Sequence, residues 1–236
     1  MASDREALKR RAAERAVAEI RDGMVVGLGT GSTAALAVAA LGERVRAGQR
    51  VCGIPTSERT AALAREAGVP LTGFNERPVV DLAFDGADEV ERGTLNLIKG
   101  RGGALLREKI VAQAARRLVI VVDDSKLVDR LGERVALPVE VVPFGWQASA
   151  ARLRGLGGAP SLRRDAGGRP FLTDNGHYVL DCAFGPIPDP AALAAAIDAI
   201  AGVVESGLFL GMASAVVVAG EGGVEVLEAP PRASRT

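Results

Sequence analysis

Between Phe84 and Ile110 the chain reads FDGADEVERGTLNLIKGRGGALLREKI. This stretch gathers the side chains needed to move a proton next to a carbonyl. Asp85 and Asp88 stand three apart in D-G-A-D, directly after the apolar run Val79-Val80-Asp81-Leu82-Ala83-Phe84. Carboxylates at the end of a buried strand must be paired or hydrogen-bonded, because an isolated charge near a core is costly. Lys99 follows, then Gly100-Arg101-Gly102-Gly103, then a helical pattern that carries Glu108. A glycine cluster that opens a helix lets backbone N–H groups converge on an anion or an oxygen-rich ligand. Two acids, one lysine, a backbone nest and a third acid make a set suited to proton transfer.

A second stretch offers a place for phosphate. A short apolar strand, Met24–Gly27, runs into Gly27-Leu28-Gly29-Thr30-Gly31-Ser32-Thr33 and then a helix from Ala34. At such a helix start the free N–H groups and the helix dipole favour an anion. The dinucleotide spacing G-x-G-x-x-G fails from Gly27, because Ser32 stands where the third glycine belongs. From Gly29 it fits only in the looser form, with Ala34 third, and no acid ends the next strand, Val51–Ile54, to hold a ribose. The nucleotide P-loop fails as well, because no lysine precedes Ser32-Thr33. Two hydroxyls at the helix start suit a small phosphate monoester, and a tight turn with an ordinary Ser/Thr N-cap is the plainer alternative.

The elements that must hold these groups alternate. A helix is predicted over residues 4–21, stopped by Asp22-Gly23. Strands are expected at Val51–Ser57, Val69–Phe74, Val79–Phe84 and Leu118–Asp123, with helices Glu58–Ala67 and Ala104–Arg116 between them. This rhythm implies an α/β fold with a parallel sheet covered on both faces, whose ligands bind beyond the carboxyl ends of the strands. Thr30–Thr33, Asp85–Asp88 and Asp123–Lys126 all follow strand ends and so face one crevice. From about Leu131 the order changes to β-α-β-β-α-β. The expected elements are a strand Ala136–Pro143, a helix Trp146–Leu156 and a strand Ser161–Arg164. A segment Thr173–Phe184 with the hairpin signal Asn175-Gly176 follows, then a helix from Asp189-Pro190 and a strand Val203–Leu208. That order is the ferredoxin-like motif. Further strands at Ala213–Ala219 and Val224–Leu227 are expected to return to the first sheet, and Pro230–Thr236 reads as a loose tail.

Composition narrows the class of protein. Lysine plus arginine and aspartate plus glutamate number 29 each, so no positive field points to nucleic acid. Cys52 and Cys182 lack metal-ligand spacing and read as packing residues of a reduced, cytoplasmic protein. The most apolar windows are too short or too polar to span a bilayer, and the first residues lack the core of a signal peptide. His177, the only histidine, follows the Asn175-Gly176 turn and reads as structural.

With GTGST, DGAD, KGRGGALLREKI and DDSK in this order, followed by PVEVVP, TDNG and GVVESGLF, the chain resembles the A-type ribose-5-phosphate isomerases over nearly its whole length. The resemblance implies a Rossmann-like catalytic domain (residues 1–130 and 209–236) with a ferredoxin-like α+β domain (131–208). It implies a homodimer or homotetramer of the pentose phosphate pathway, acting on a sugar phosphate with no cofactor and no metal. It makes Glu108 the proton-transferring base and sets Asp85 and Asp88 beside the sugar. It sets Lys99 at the oxygen that becomes anionic. Thr30, Gly31, Ser32, Thr33 and Lys126 would line the phosphate site, with Lys9 of the first helix, and Gly86, Ala87, Gly100, Arg101 and Gly102 would surround the sugar. Arg101 departs from the family loop, which carries glycine there. Two rival readings remain: a deaminase or lactonase of related fold, or a non-catalytic phosphosugar sensor.

Overall fold

A computed structural model describes residues 2–229, with side chains from residue 7 onward; the expected tail from Pro230 lies outside the described residues. The chain opens with α1 (Ala2–Val17), β1 (Val25–Leu28), α2 (Ser32–Arg46), β2 (Cys52–Pro55), α3 (Glu58–Glu66) and β3 (Leu82–Asp85). Two short strands, β4 (Glu89–Glu91) and β5 (Leu97–Ile98), precede α4 (Leu105–Ala114) and β6 (Leu118–Asp123). A single 3-10 turn, Asp124–Lys126, leads to β7 (Leu127–Val128). Then come β8 (Leu137–Val141), α5 (Trp146–Gly155), β9 (Ala159–Leu162), β10 (Tyr178–Ala183), α6 (Pro190–Asp198) and β11 (Val203–Ser206). The last strands are β12 (Leu208–Phe209), β13 (Ala215–Gly220) and β14 (Gly223–Glu228).

The main sheet has the order β14-β13-β6-β3-β1-β2. All neighbours in it are parallel except the β13–β14 edge pair. Strand β6 is buried at every residue, as a parallel strand covered on both faces must be. Its side chains alternate between two cores. Val119 and Val121 pack with Ala12, Ala16, Val38 and Leu41 of α1 and α2, whereas Leu118, Ile120 and Val122 pack with Val111 and Ala112 of α4. The second sheet is wholly antiparallel, in the order β11-β8-β10-β9, and its sequence order is that of a ferredoxin-like unit. The α/β class and the ferredoxin-like part are as the sequence predicts.

Several local readings are corrected. Helix α1 ends at Val17, ahead of Asp22-Gly23. No strand forms over 69–74. Only Leu71 bridges β2, at Gly53, because Pro70 has no N–H to extend the ladder. The Asn175-Gly176 turn closes locally, Gly176 N–H donating to the Thr173 carbonyl at 2.9 Å, yet only β10 follows it and β9 ends at Leu162. The predicted strand 203–208 splits at Gly207, β11 joining the second sheet and β12 a third.

That third sheet, β12-β5-β4-β7, has no counterpart in the sequence reading. Its strands are two or three residues long, too short for any periodicity to show. It joins the other two sheets, and Gly207 is its tightest point. Gly207 N–H donates to the Pro138 carbonyl at 2.7 Å, and its own carbonyl accepts from Lys99 N–H at 2.9 Å. A Cβ there would stand 2.2 Å from the Lys99 carbonyl oxygen, so only glycine fits.

Glu89 of β4 is wholly buried and accepts from the backbone N–H groups of Gly132 (2.6 Å), Arg134 (2.6 Å) and Val135 (2.9 Å). It anchors the chain where it passes into the second sheet. Glu89→Ala is expected to lower unfolding free energy by about 2–4 kcal/mol, because several N–H groups lose their acceptor at once. Urea unfolding checks this, with Glu89→Gln, which keeps one carbonyl, losing less.

Candidate active site

Three parallel neighbours, β1, β3 and β6, end at one edge of the main sheet, and their following loops wall a cleft of about 340 Å³. Thr30, Gly31, Ser32 and Thr33 come from the loop after β1, and Gly86, Ala87 and Asp88 from the loop after β3. Asp123 and Lys126 come from the end of β6, and Lys9 reaches in from α1. The rim is closed by Lys99, Gly100, Arg101 and Gly102, with Glu108 from the first turn of α4. Every residue singled out from the sequence therefore meets at one place, with one difference. Asp85 is not on the wall; it lies beneath it, behind Lys99.

The centre of the cleft is a buried charge cluster. Lys99 is 3% exposed, and its Nζ lies 2.5 Å from the Gly86 carbonyl, 3.0 Å from Asp85 Oδ2 and 3.4 Å from Glu108 Oε1. The Phe209 ring of β12 closes it from behind, 5.5 Å from Nζ to the centroid. Asp85 Oδ1 accepts from the N–H groups of Thr30 (3.1 Å) and Gly86 (2.7 Å). This carboxylate presses on Gly29, where a Cβ would stand 2.4 Å from Asp85 Cγ, so glycine is required at that position too. Glu108 is 4% exposed, and its Oε2 is buried with no hydrogen-bond partner.

Burial alone would strip the Lys99 proton, but Asp85 and Glu108 together outweigh it, and the ammonium is held more firmly than usual. Burial pushes both carboxyl pKa values up, and Lys99 opposes it in each. Glu108 is raised to about 8, by burial first and by the nearby Asp85 charge second. Asp85 has the closer ammonium and two backbone N–H donors, whereas Glu108 keeps one bare oxygen. Glu108 is therefore the less well compensated carboxyl of the pair.

The other end of the cleft suits an anion. Helix α2 begins at Ser32 with Gly31 (φ 119°) as N-cap, no side chain caps it, and its first turn holds no acid. Its first N–H groups are thus left for a ligand, with the Ser32 and Thr33 hydroxyls beside them. The Thr30 hydroxyl is engaged elsewhere, within reach of Thr56 (2.7 Å), Ser57 (2.9 Å) and Thr60 (3.1 Å). Lys9 pairs with Asp123 Oδ2 at 3.1 Å, and the Lys126 ammonium has no ion-pair partner among the described residues. Sequence reasoning gave no role to Thr56, Ser57 and Thr60; it set Asp123 at the crevice, where the structure has it on the wall. The D-D-S-K placement at a strand end was the available signal for Asp123.

Arg101 fits its loop without strain. Among the described residues Leu95 is the only non-glycine at positive φ, and the loop's left-handed positions fall on Gly100 (φ 106°) and Gly103 (φ 79°). Arg101 N–H donates to Asp88 Oδ2 at 2.9 Å, its carbonyl accepts from Arg163, and its side chain is exposed. No group of three or more His, Cys, Asp or Glu side chains among the described residues could hold a metal ion.

A profile of the family described as ribose 5-phosphate isomerase A (phosphoriboisomerase A) matches residues 52–223. The chain belongs to the ribose 5-phosphate isomerase A family. A ribose-5-phosphate isomerase A from Gloeobacter violaceus is 64% identical over 224 residues, 95% of this chain and 97% of that one. The solved ribose 5-phosphate isomerase A of Methanocaldococcus jannaschii is 45% identical, covering 94% of this chain and 99% of its own, with a TM-score of 0.91. A D-ribose-5-phosphate isomerase solved in complex with phospho-erythronic acid is 40% identical, covering 94% of this chain and 98% of its own, with a TM-score of 0.92. Both solved structures thus share the fold over nearly the full chain.

The raised pKa of Glu108 has a direct readout. A carboxyl infrared band is expected to titrate at about 8, protonated below and ionised above. The band should vanish in Glu108→Gln; a carboxyl that titrates in the ordinary acidic range instead would show that its burial is relieved in solution.

Proposed function

We propose that the chain interconverts D-ribose 5-phosphate and D-ribulose 5-phosphate through an enediolate, with Glu108 as the proton-transferring base. One observation carries the reading: Glu108, on the wall of the cleft that α2 opens to an anion, is buried with one oxygen 3.4 Å from Lys99 and the other without a hydrogen-bond partner. The family name and the phospho-erythronic acid bound by a solved relative support it, since that ligand bears a phosphate and a carboxylate.

Phosphate at Ser32, Thr33, Lys126 and Lys9 does not react. It spends binding energy on orienting the far end of the sugar. That end meets Lys99 and Glu108. Glu108, in its ionised form, takes the proton from C2 of the open-chain aldose, and the electron pair moves through the new C1–C2 double bond onto O1. Lys99 stabilises that oxyanion; removing one such donor typically costs about 10²–10³ in rate. Glu108 then returns the proton to C1, O2 becomes the carbonyl, and the O2 proton passes to O1. A positioned acid–base group contributes roughly 10²–10⁴. Asp88, on the cleft wall, is the carboxylate for ring opening and hydroxyl proton movement, while Asp85 acts through Lys99, keeping it charged.

A deaminase of related fold would need a histidine at the sugar. His177 instead contacts Glu140 at 2.9 Å in the second sheet, outside the cleft wall. A sensor would have no use for a bare buried carboxyl. We also propose a cytoplasmic homodimer or homotetramer serving the non-oxidative pentose phosphate pathway; no described helix is long and apolar enough to cross a membrane. In this reading residues 1–130 and 209–236 carry the chemistry, and 131–208 brace it.

Ribose 5-phosphate incubated with the protein in the absence of added metal or nucleotide should yield the ketose. Glu108→Gln is expected to abolish turnover while keeping substrate affinity, and near-normal turnover would remove Glu108 from the mechanism. Lys126→Ala should raise KM by about tenfold with a smaller effect on kcat, as loss of a charge-assisted phosphate contact implies. Steady-state kinetics decide both.

A further inference from the structure

The two neighbours of Glu108 in sequence, Arg107 and Lys109, both make tertiary contacts. Helix α4 begins at Ala104–Leu105 with no side-chain cap, so tertiary contacts must fix its first turn. Arg107 supplies them. Its Nη1 lies 2.9 Å from Glu58 Oε1 on α3, its Nε 3.0 Å from Asn175 Oδ1, and its Nη2 3.2 Å from the Asp174 carbonyl. Asp174 Oδ2 in turn accepts from the Glu58 N–H at 2.8 Å. One guanidinium therefore joins α4, the start of α3 and the 173–177 turn of the second sheet.

That turn is fixed from below. Glu140 of β8 is wholly buried, and its Oε1 is met by Thr173 Oγ1 (3.0 Å), Asn175 Nδ2 (3.3 Å) and His177 Nδ1 (2.9 Å). A buried carboxylate is costly unless such donors gather on it, so it fixes the turn that supplies them. At its other end the bridge reaches the phosphate loop. Ser57 caps α3, accepting from Thr60 N–H at 3.0 Å, and its hydroxyl also accepts from Thr30 Oγ1 at 2.9 Å. On the opposite flank of Glu108, Lys109 Nζ lies 2.6 Å from Glu205 Oε1 and 2.8 Å from the Ser206 carbonyl of β11.

We propose that Arg107, held by the turn that Glu140 anchors, is a positioning residue for the isomerisation. It locks the first turn of α4, and so the Glu108 carboxylate, in register with the loop that grips phosphate. This rests on the reading of Glu108 as the base. A fork with three acceptors does this where a single ammonium does not.

The test compares Arg107→Ala, Asn175→Ala, their double variant and Arg107→Lys, with Glu108→Gln alongside. Arg107→Ala should lower kcat about 10- to 100-fold, the scale expected from displacing a catalytic group by an ångström or less. KM should stay within about twofold of the unaltered protein, as for an interaction expressed in the transition state. The double variant should lose no more than the worse single, and Arg107→Lys should restore only part of the rate. Unchanged kcat per folded molecule overturns the proposal, whether or not the melting temperature falls. So do additive losses in the double variant, a change confined to KM, or full rescue by lysine. Turnover surviving in Glu108→Gln would sink the base assignment itself; an unaffected Arg107→Ala beside an inactive Glu108→Gln sinks the positioning role alone.

Discussion

Lys99 keeps its charge while almost fully buried because two carboxyl groups and a carbonyl surround its ammonium. Two carboxyls and one ammonium leave a negative charge too many for a site shut off from water. Burial first, and the neighbouring Asp85 charge second, therefore raise the Glu108 pKa to about 8. Glu108 is the carboxyl with fewer donors. A carboxyl poised near neutrality is matched to proton transfer at carbon, while the neighbouring ammonium is matched to the oxygen that becomes negative. Stabilising the cluster and equipping it for chemistry are one arrangement.

The backbone is shaped around this cluster. Gly29 lets the Asp85 carboxylate approach the first loop, and Gly207 lets the strand carrying Lys99 approach the second sheet. Side chains at either position would force the ammonium and its partners apart. The second sheet contributes no residue of its own to the cleft wall, yet it reaches α4 on both sides of Glu108, through Arg107 and through Lys109. Its contribution is geometric.

How much of this was legible in the sequence depended on the length scale of each feature. β6 was read with its true ends, because a buried parallel strand is a continuous apolar run. β4, β5, β7 and β12 were missed because two or three residues carry no period; long-range pairing alone makes them strands. In the site, Asp85, Asp88, Lys99 and Glu108 were visible as chemistry-bearing types after a strand end and around a helix start. Asp85 beneath the wall was not visible, because depth behind a neighbour is a tertiary property. Thr56, Ser57 and Thr60 were passed over because their contact with the Thr30 hydroxyl is made only in the folded chain. Lys109 is buried by packing against Glu205 and Phe209, which its place in the sequence does not reveal.

The central claim is spatial: phosphate at the start of α2 sets the reacting carbons between Lys99 and Glu108. The most direct test is a crystal structure of this chain with phospho-erythronic acid. Its phosphate is expected against Ser32, Thr33 and Lys126, and its carboxylate within hydrogen-bonding reach, about 3 Å, of both Lys99 Nζ and Glu108. A ligand bound with its phosphate elsewhere, or with its carboxylate out of reach of Glu108, would contradict it.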